Sequence, residues 1–186
     1  MPNWCNNNLT LTHSDPQMIQ RAIRAIEDGR LFQEFVPCPA PLLDTTAGSH
    51  GDPEKQAELE ILEEANLHAY GARNWFDWCI ANWGTKWDIS DAFIGDQTTD
   101  HVSVAFDTAW APPISVYRQL EALGFEVDAT YHEPGMAFVG RYMAGNDEYY
   151  EYGSETADTV REFIGAELDD AYDISNSMRE WEEEQE

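Results

Sequence analysis

The order of hydrophobic patterns along the chain predicts an α+β protein. The expected architecture is a ferredoxin-like (split β-α-β) antiparallel sheet with an inserted helical segment and acidic C-terminal helices. Three observations predict it. Short runs of alternating apolar and polar residues read as half-buried strands. Apolar residues spaced i, i+3, i+4, i+7 behind Asp-Pro or Pro-Pro starts read as helices. Setting aside the residues from about 37 to 84 leaves strand, helix, strand, strand, helix, strand, the order of the split β-α-β motif.

Each element has a local reason. Asn8-Leu9-Thr10-Leu11-Thr12-His13 alternates as a strand. Asp15-Pro16 supplies an N-cap and a proline in the first turn, and Ile19, Ala22, Ile23 and Ile26 form one stripe that Gly29 ends. Leu31 to Val36 is expected to be a short extended piece. Pro37-Cys38-Pro39-Ala40-Pro41 and the polar residues to Gly51 are expected to form a restricted loop. Asp52-Pro53 opens an acidic helix over 54–68, and a second helix runs through Trp75, Trp78 and Ile80 toward Gly84. Strands are expected at Lys86 to Ile94 and His101 to Thr108, and a helix after Pro112-Pro113 with Ile114, Tyr117, Leu120 and Leu123 inward. Two more strands, Phe125 to Tyr131 and Met136 to Met143, turn at Glu133-Pro134-Gly135. Asp147 to Tyr152 adds an extended segment, and 155–186 reads as peripheral helix. The division expected is a ferredoxin-like domain over 1–145, with its helical insertion at about 37–84, and an acidic appendage over 146–186.

Charge is the dominant compositional fact. Asp plus Glu number 36 against 10 Lys plus Arg, a formal net charge of -26. Half of the excess lies in the last 41 residues, where 15 carboxylates meet two arginines. Such density repels itself and opposes compaction. It also repels nucleic acid and anionic lipid, so neither direct nucleic-acid binding nor membrane binding is expected. The opening Met1-Pro2-Asn3-Trp4 lacks the basic and apolar regions of a signal peptide, which points to a soluble cytoplasmic protein.

Signatures of chemistry are missing. Cys5, Cys38 and Cys79 form no C-x-x-C pair, and His13, His50, His68, His101 and His132 show no H-x-x-x-H or H-E-x-x-H spacing. There is no D-x-D-x-D-G calcium loop. No catalytic residue, metal or cofactor is therefore nominated, and the cysteines read as buried reduced thiols.

Three segments share a character: Asn3-Trp4-Cys5-Asn6-Asn7 before the first strand, Asn82-Trp83-Gly84-Thr85-Lys86-Trp87-Asp88 before the central strands, and Asp107-Thr108-Ala109-Trp110-Ala111-Pro112-Pro113 before the second core helix. With Pro37-Cys38-Pro39 and Leu42, they make the chain resemble the YubB-like family of plasmid and phage proteins over roughly residues 2–143. The resemblance implies a ferredoxin-like domain, in the topological sense and without an iron–sulfur cluster, and a mobile-element origin in a bacterial host cell. It implies no activity, so no catalytic residue carries over.

Two candidate sites follow. The tail offers Asp147, Glu148 and Glu151, interleaved with Tyr149, Tyr150 and Tyr152. It continues with Glu155, Asp158, Glu162 and Asp169, which share one face of a helix expected from 155 to about 169, opposite Val160, Phe163, Ile164 and Leu168. Carboxylates repeating about every 5.4 Å along a helix imitate part of the charge of duplex DNA. Their partner would be a cationic protein surface, such as a host nucleic-acid or defence protein. The alternative is an enzyme or small-ligand protein whose pocket is lined by Trp4, Trp83, Lys86, Trp87, Asp107 and Trp110, with Lys86 otherwise expected to pair with Asp88 or Asp107. A third reading takes the acidic surface as salt adaptation or solubility alone.

Overall fold

One sheet face is built for helices and the other for a mixture of solvent and a late helical layer. The computed structural model describes residues 2–184. Strands β1 (Trp4–Thr12), β2 (Ser90–Gln97), β3 (His101–Ala109), β4 (Glu126–Glu133), β5 (Phe138–Met143) and β6 (Asn146–Glu151) form one antiparallel sheet in the order β2-β3-β1-β4-β5-β6. The first four strands, with α1 (Pro16–Glu27) and α6 (Ile114–Ala122) between them, make the ferredoxin-like core. The hairpin of β5 and β6 extends the sheet past β4, so the division expected near residue 145 falls between two paired strands.

The alternation of β1 sorts the two faces. Cys5, Asn7, Leu9 and Leu11 are buried, and Leu9 and Leu11 pack with Val102, Val104 and Phe106 of β3 and with Ile19, Ala22, Ile23 and Ile26 of α1. From α6, Val116, Tyr117 and Leu120 complete this layer. Asp15 caps α1 as its pattern predicts, accepting from the Gln17 amide at 2.9 Å.

Between α1 and β2 lie α2 (Leu31–Phe35), α3 (Ala40–Leu43), α4 (Pro53–Tyr70) and α5 (Trp75–Asn82). The extended piece expected at Leu31–Val36 is instead the helix α2. Its cause lies far along the chain, because the Asp88 carboxylate accepts from the amides of Phe32 and Gln33, each at 2.8 Å. Asp88 thereby caps a helix more than 50 residues upstream, which no local pattern reveals. The same capture shifts β2: the strand expected at Lys86 to Ile94 begins at Ser90 and runs to Gln97. The loop expected over 37–51 contains α3, which seats Leu42 in the core.

The C-terminal residues form a folded layer, not a peripheral tail. The continuous helix expected from 155 to about 169 is broken into α7 (Val160–Ile164) and α8 (Ala166–Tyr172), followed by α9 (Ile174–Glu184). Gly165 at φ +89° separates the first two, and Asp173 at φ 53° separates α8 from α9. Residues 185 and 186, part of the segment expected to be helical, lie outside the described residues. The layer docks through Val160, Ile164, Leu168 and Ile174 onto Val139 of β5 and Tyr152. Burial of each such side chain contributes roughly 1.5–3 kcal/mol, which fixes the layer on the second face of the sheet. Farther along that face, Asn8, Phe93 and Ala105 stay exposed.

Gly140 shows how tightly β5 meets its neighbours. It stands opposite Tyr131 in the register, and a methyl group there would collide with the Tyr131 hydroxyl and the Glu148 carbonyl oxygen. The Tyr131 ring occupies the space a side chain would fill. Gly140→Ala is expected to lower the unfolding free energy by about 2 kcal/mol or more through overpacking, read by urea denaturation. Unchanged stability would show that the ring moves aside without cost.

Candidate functional site

The carboxylates nominated from the sequence fall into three groups. Asp147, Glu148 and Glu151 lie on the edge strand β6. Asp147 accepts from the Tyr131 hydroxyl at 2.6 Å, and Glu151 accepts from the Tyr149 hydroxyl at 3.3 Å. Glu148 stands opposite Arg141 in the register and accepts from the Asn146 carboxamide. Acid on an edge strand also discourages pairing with another chain.

Glu155, Asp158 and Glu162 form the second group, at the start of the C-terminal layer. Asp158 and Glu162 are exposed, and Asp158 lies 3.4 Å from Arg179. Asp169 stands apart. It is 2% exposed, 2.6 Å from the Arg161 guanidinium, and accepts from both the amide and the hydroxyl of Ser175. Burial opposes its charge, but these donors outweigh burial and hold its carboxyl below the usual range. Asp169 therefore locks α7 to the start of α9 and does not share an outward row with Glu155, Asp158 and Glu162. The break at Gly165 is the physical reason.

The few cations are largely consumed inside the molecule. Arg21 pairs with Glu34, Arg30 with Glu34 and Asp28, Arg73 with Glu64, Arg141 with Asp128 and Glu167, Arg161 with Asp169 and Asp170, and Arg179 with Asp158. As surface pairs most contribute little stability. Their effect on the field is larger, because the surplus acid is left without a positive counterweight.

The six residues of the alternative pocket do not line one cavity. Trp83 is core: it is 5% exposed, donates its indole N–H to the Val36 carbonyl at 2.8 Å, and meets Trp78 and Phe32 edge-on. Trp4 and Trp87 are exposed, with ring centroids 6.3 Å apart, and Trp110 is exposed at a positive φ. Asp107 accepts from Asn6 across the β1–β3 ladder. Lys86 makes no ion pair with Asp88 or Asp107. Its ammonium sits 4.3 Å from the Trp87 ring centroid, with Phe76 and Trp75 at 5.7 and 6.0 Å, a cation–π arrangement. The depression beside it holds about 360 Å³ and is lined by Trp75, Phe76 and Asp77.

A larger cleft, which the sequence patterns do not nominate, lies between α9 and the sheet. It holds about 680 Å³ and is lined by Asn6, His132, Tyr152, Tyr172, Met178 and Trp181 among others. His132 is its polar centre. The imidazole Nε2 is 2.6 Å from the Tyr152 hydroxyl, and the ring lies against those of Tyr152 and Tyr172 at centroid distances of 5.8 and 5.1 Å. Burial lowers its pKa from 6.5 to about 4. Tyr172, in turn, bonds Asn8 and Thr130 on the sheet.

Among the described residues, no group of three or more His, Cys, Asp or Glu side chains could hold a metal ion, and no helix is long and apolar enough to cross a membrane. The three cysteines are buried free thiols, with burial pushing Cys5 and Cys79 up to about 12. Fold and site together define an α+β protein with a ferredoxin-like sheet, partly covered on its second face by an acidic helical layer. No family model and no curated protein matches the chain. Among solved structures there is a likeness to the crystal structure of protein api92 from Yersinia pseudotuberculosis, of family model DUF1281. It has a TM-score of 0.42 and 14% identity, and covers 82% of this chain and 99% of that one. At that level it carries no argument about this chain.

The His132 environment predicts a pH effect of definite sign. Folding favours the neutral ring, so between pH 6.5 and about 4 the unfolded chain binds a proton that the folded chain refuses. Stability should fall as pH drops through that window and level off below it, by roughly 3 kcal/mol at most for this group. His132→Gln should remove that component while the carboxylate contribution remains. Parallel stability–pH curves for the two proteins from pH 7 to 4 would contradict the assignment.

Proposed function

We propose that this chain is a non-enzymatic binding protein of a phage or plasmid, acting in the cytoplasm of a bacterial host. Its C-terminal layer presents carboxylates to a cationic protein surface, in the manner of a DNA mimic directed at a host nucleic-acid-binding or defence protein. The observation that carries this reading is the order of the layer. The described part of this segment, 146–184, holds 14 carboxylates and two arginines and is anchored by Val160, Ile164, Leu168 and Ile174, which favours fixed charges over a mobile tail. A partner then meets a prearranged field, which favours fast, salt-sensitive association. Tyr149 and Phe163, both partly exposed beside the acids, supply apolar contact area of the kind that anchors interfaces.

Cutting the layer away is the wrong test, because removing it would uncover Val139 and Tyr152. Neutralising Glu155, Asp158 and Glu162 together (E155Q, D158N, E162Q) leaves the packing intact. The measurement is displacement of a fluorescent DNA duplex from a panel of bacterial nucleic-acid enzymes and repressors. The full chain is expected to displace the duplex from at least one member more strongly at low salt. The triple variant should be about tenfold weaker, a loss near 1.4 kcal/mol. An equal loss on neutralising Glu58, Glu60 and Glu64 of α4 would instead favour a diffuse acidic coat, the salt-adaptation reading.

A further inference from the structure

We propose that the cleft between α9 and the sheet is a binding site for an uncharged, largely apolar small molecule that carries one hydrogen-bonding group. Its volume of about 680 Å³ falls within the range of ligand sites, about 300–1,000 Å³. The composition of its lining sets the ligand class. Among the described residues, no Asp, Glu, Lys or Arg lines it, in a chain where 36 of 186 residues are carboxylates. Four other depressions on the surface each include at least one carboxylate. A charged ligand would give up hydration here and find no opposite charge in return. An uncharged ligand meets apolar walls instead.

Those walls come from separate elements. Tyr152 follows β6, Tyr172 ends α8, and Met178 and Trp181 project from α9. Trp181 is 64% exposed although it lines the cleft, so a large indole surface stands uncovered at its mouth. Met178 is an unbranched side chain that can adjust to an irregular shape. Within the cleft, His132 uses Nε2 toward the Tyr152 hydroxyl, and Asn6 donates from its carboxamide nitrogen to Asp107. The His132 Nδ1, the Asn6 carboxamide oxygen and the Ser177 hydroxyl are then polar atoms available to orient a ligand. Glu155, Asp158 and Glu162 are not among the residues that line it.

The test uses two fluorescent probes that differ in charge: uncharged 1-N-phenylnaphthylamine and anionic 1-anilinonaphthalene-8-sulfonate. Both are titrated against the full chain at neutral pH. The uncharged probe should show saturable enhancement at one site, and the anionic probe should bind about tenfold more weakly or less. Ser177→Phe, which places a ring into the cleft from an exposed lining position, should weaken the uncharged probe about tenfold with the circular dichroism unchanged. Should that variant fail to fold, Trp181→Ala, at an exposed position, serves the same purpose and should also weaken binding. The absence of saturable binding, equal affinity for both probes, or binding indifferent to the substituted lining would each overturn the proposal.

Discussion

The structure depends on a buried polar knot where β1 meets β3. Asn7 is 1% exposed, and its amide donates to the Cys5 carbonyl at 2.8 Å and to the Thr108 hydroxyl at 2.9 Å. Its carboxamide oxygen accepts from Tyr117 of α6 at 3.3 Å. Thr108 donates onward to the Ala111 carbonyl, and Thr85 donates to the Ala109 carbonyl. The amide of Trp110 closes on the Asn3 carbonyl. The three Trp- and Asn-rich segments that give the sequence its character therefore converge at one end of the sheet, where they satisfy each other's polar groups. A buried group left unpaired costs about 1–3 kcal/mol, so the knot fixes how the inserted helices, β1 and α6 meet. The exposed rings of Trp4, Trp87 and Trp110 are arranged around this structural joint, which is why they form no cavity.

Charge imposes the second constraint. With a net charge of -26, compaction requires that repulsion be offset by burial and by well-placed cations. Arg141 is the clearest instance. It bridges Asp128 on β4 and Glu167 on α8, and so ties the sheet to the C-terminal layer. Arg161 does the same within the layer through Asp169 and Asp170. These two arginines thus sit where elements join, and much of the remaining acid is exposed.

Much of the fold was legible in the sequence because it was written locally. The stripe of α1 behind Asp15-Pro16, the alternation of β3 and the turn at Glu133-Pro134-Gly135 each rest on residues within one turn or one strand. In that turn Glu133 itself, 1% exposed, accepts from the amides of Gly135 and Met136. The misread elements were decided at long range. Asp88 turned Leu31–Phe35 into a helix from far along the chain, and in doing so delayed the start of β2. Single backbone positions, Gly165 and Asp173, divided a helix whose apolar and acidic faces both read as continuous. For the sites, exposure of Asp158 and Glu162 followed the pattern, whereas the inward turn of Asp169 required the Arg161 and Ser175 contacts to see. The cleft around His132 was beyond local reading, since Asn6, His132, Tyr172 and Trp181 come from four separate elements.

The acidic face and the neutral cleft are two sides of one construction. A layer that must dock on a sheet needs an apolar inner side, and a chain this anionic leaves its outer side to carboxylates. Because α9 meets the layer through Ile174 and the partly buried Met178, its inner side is less completely filled than that of α7 or α8. The uncovered Trp181 ring marks that incompleteness. The charge on the outside and the space on the inside therefore share one origin in the amphipathic C-terminal segment. Substitutions on one side are expected to leave the packing of the other intact, so the two proposed roles can be tested by separate side chains, though not by separate segments.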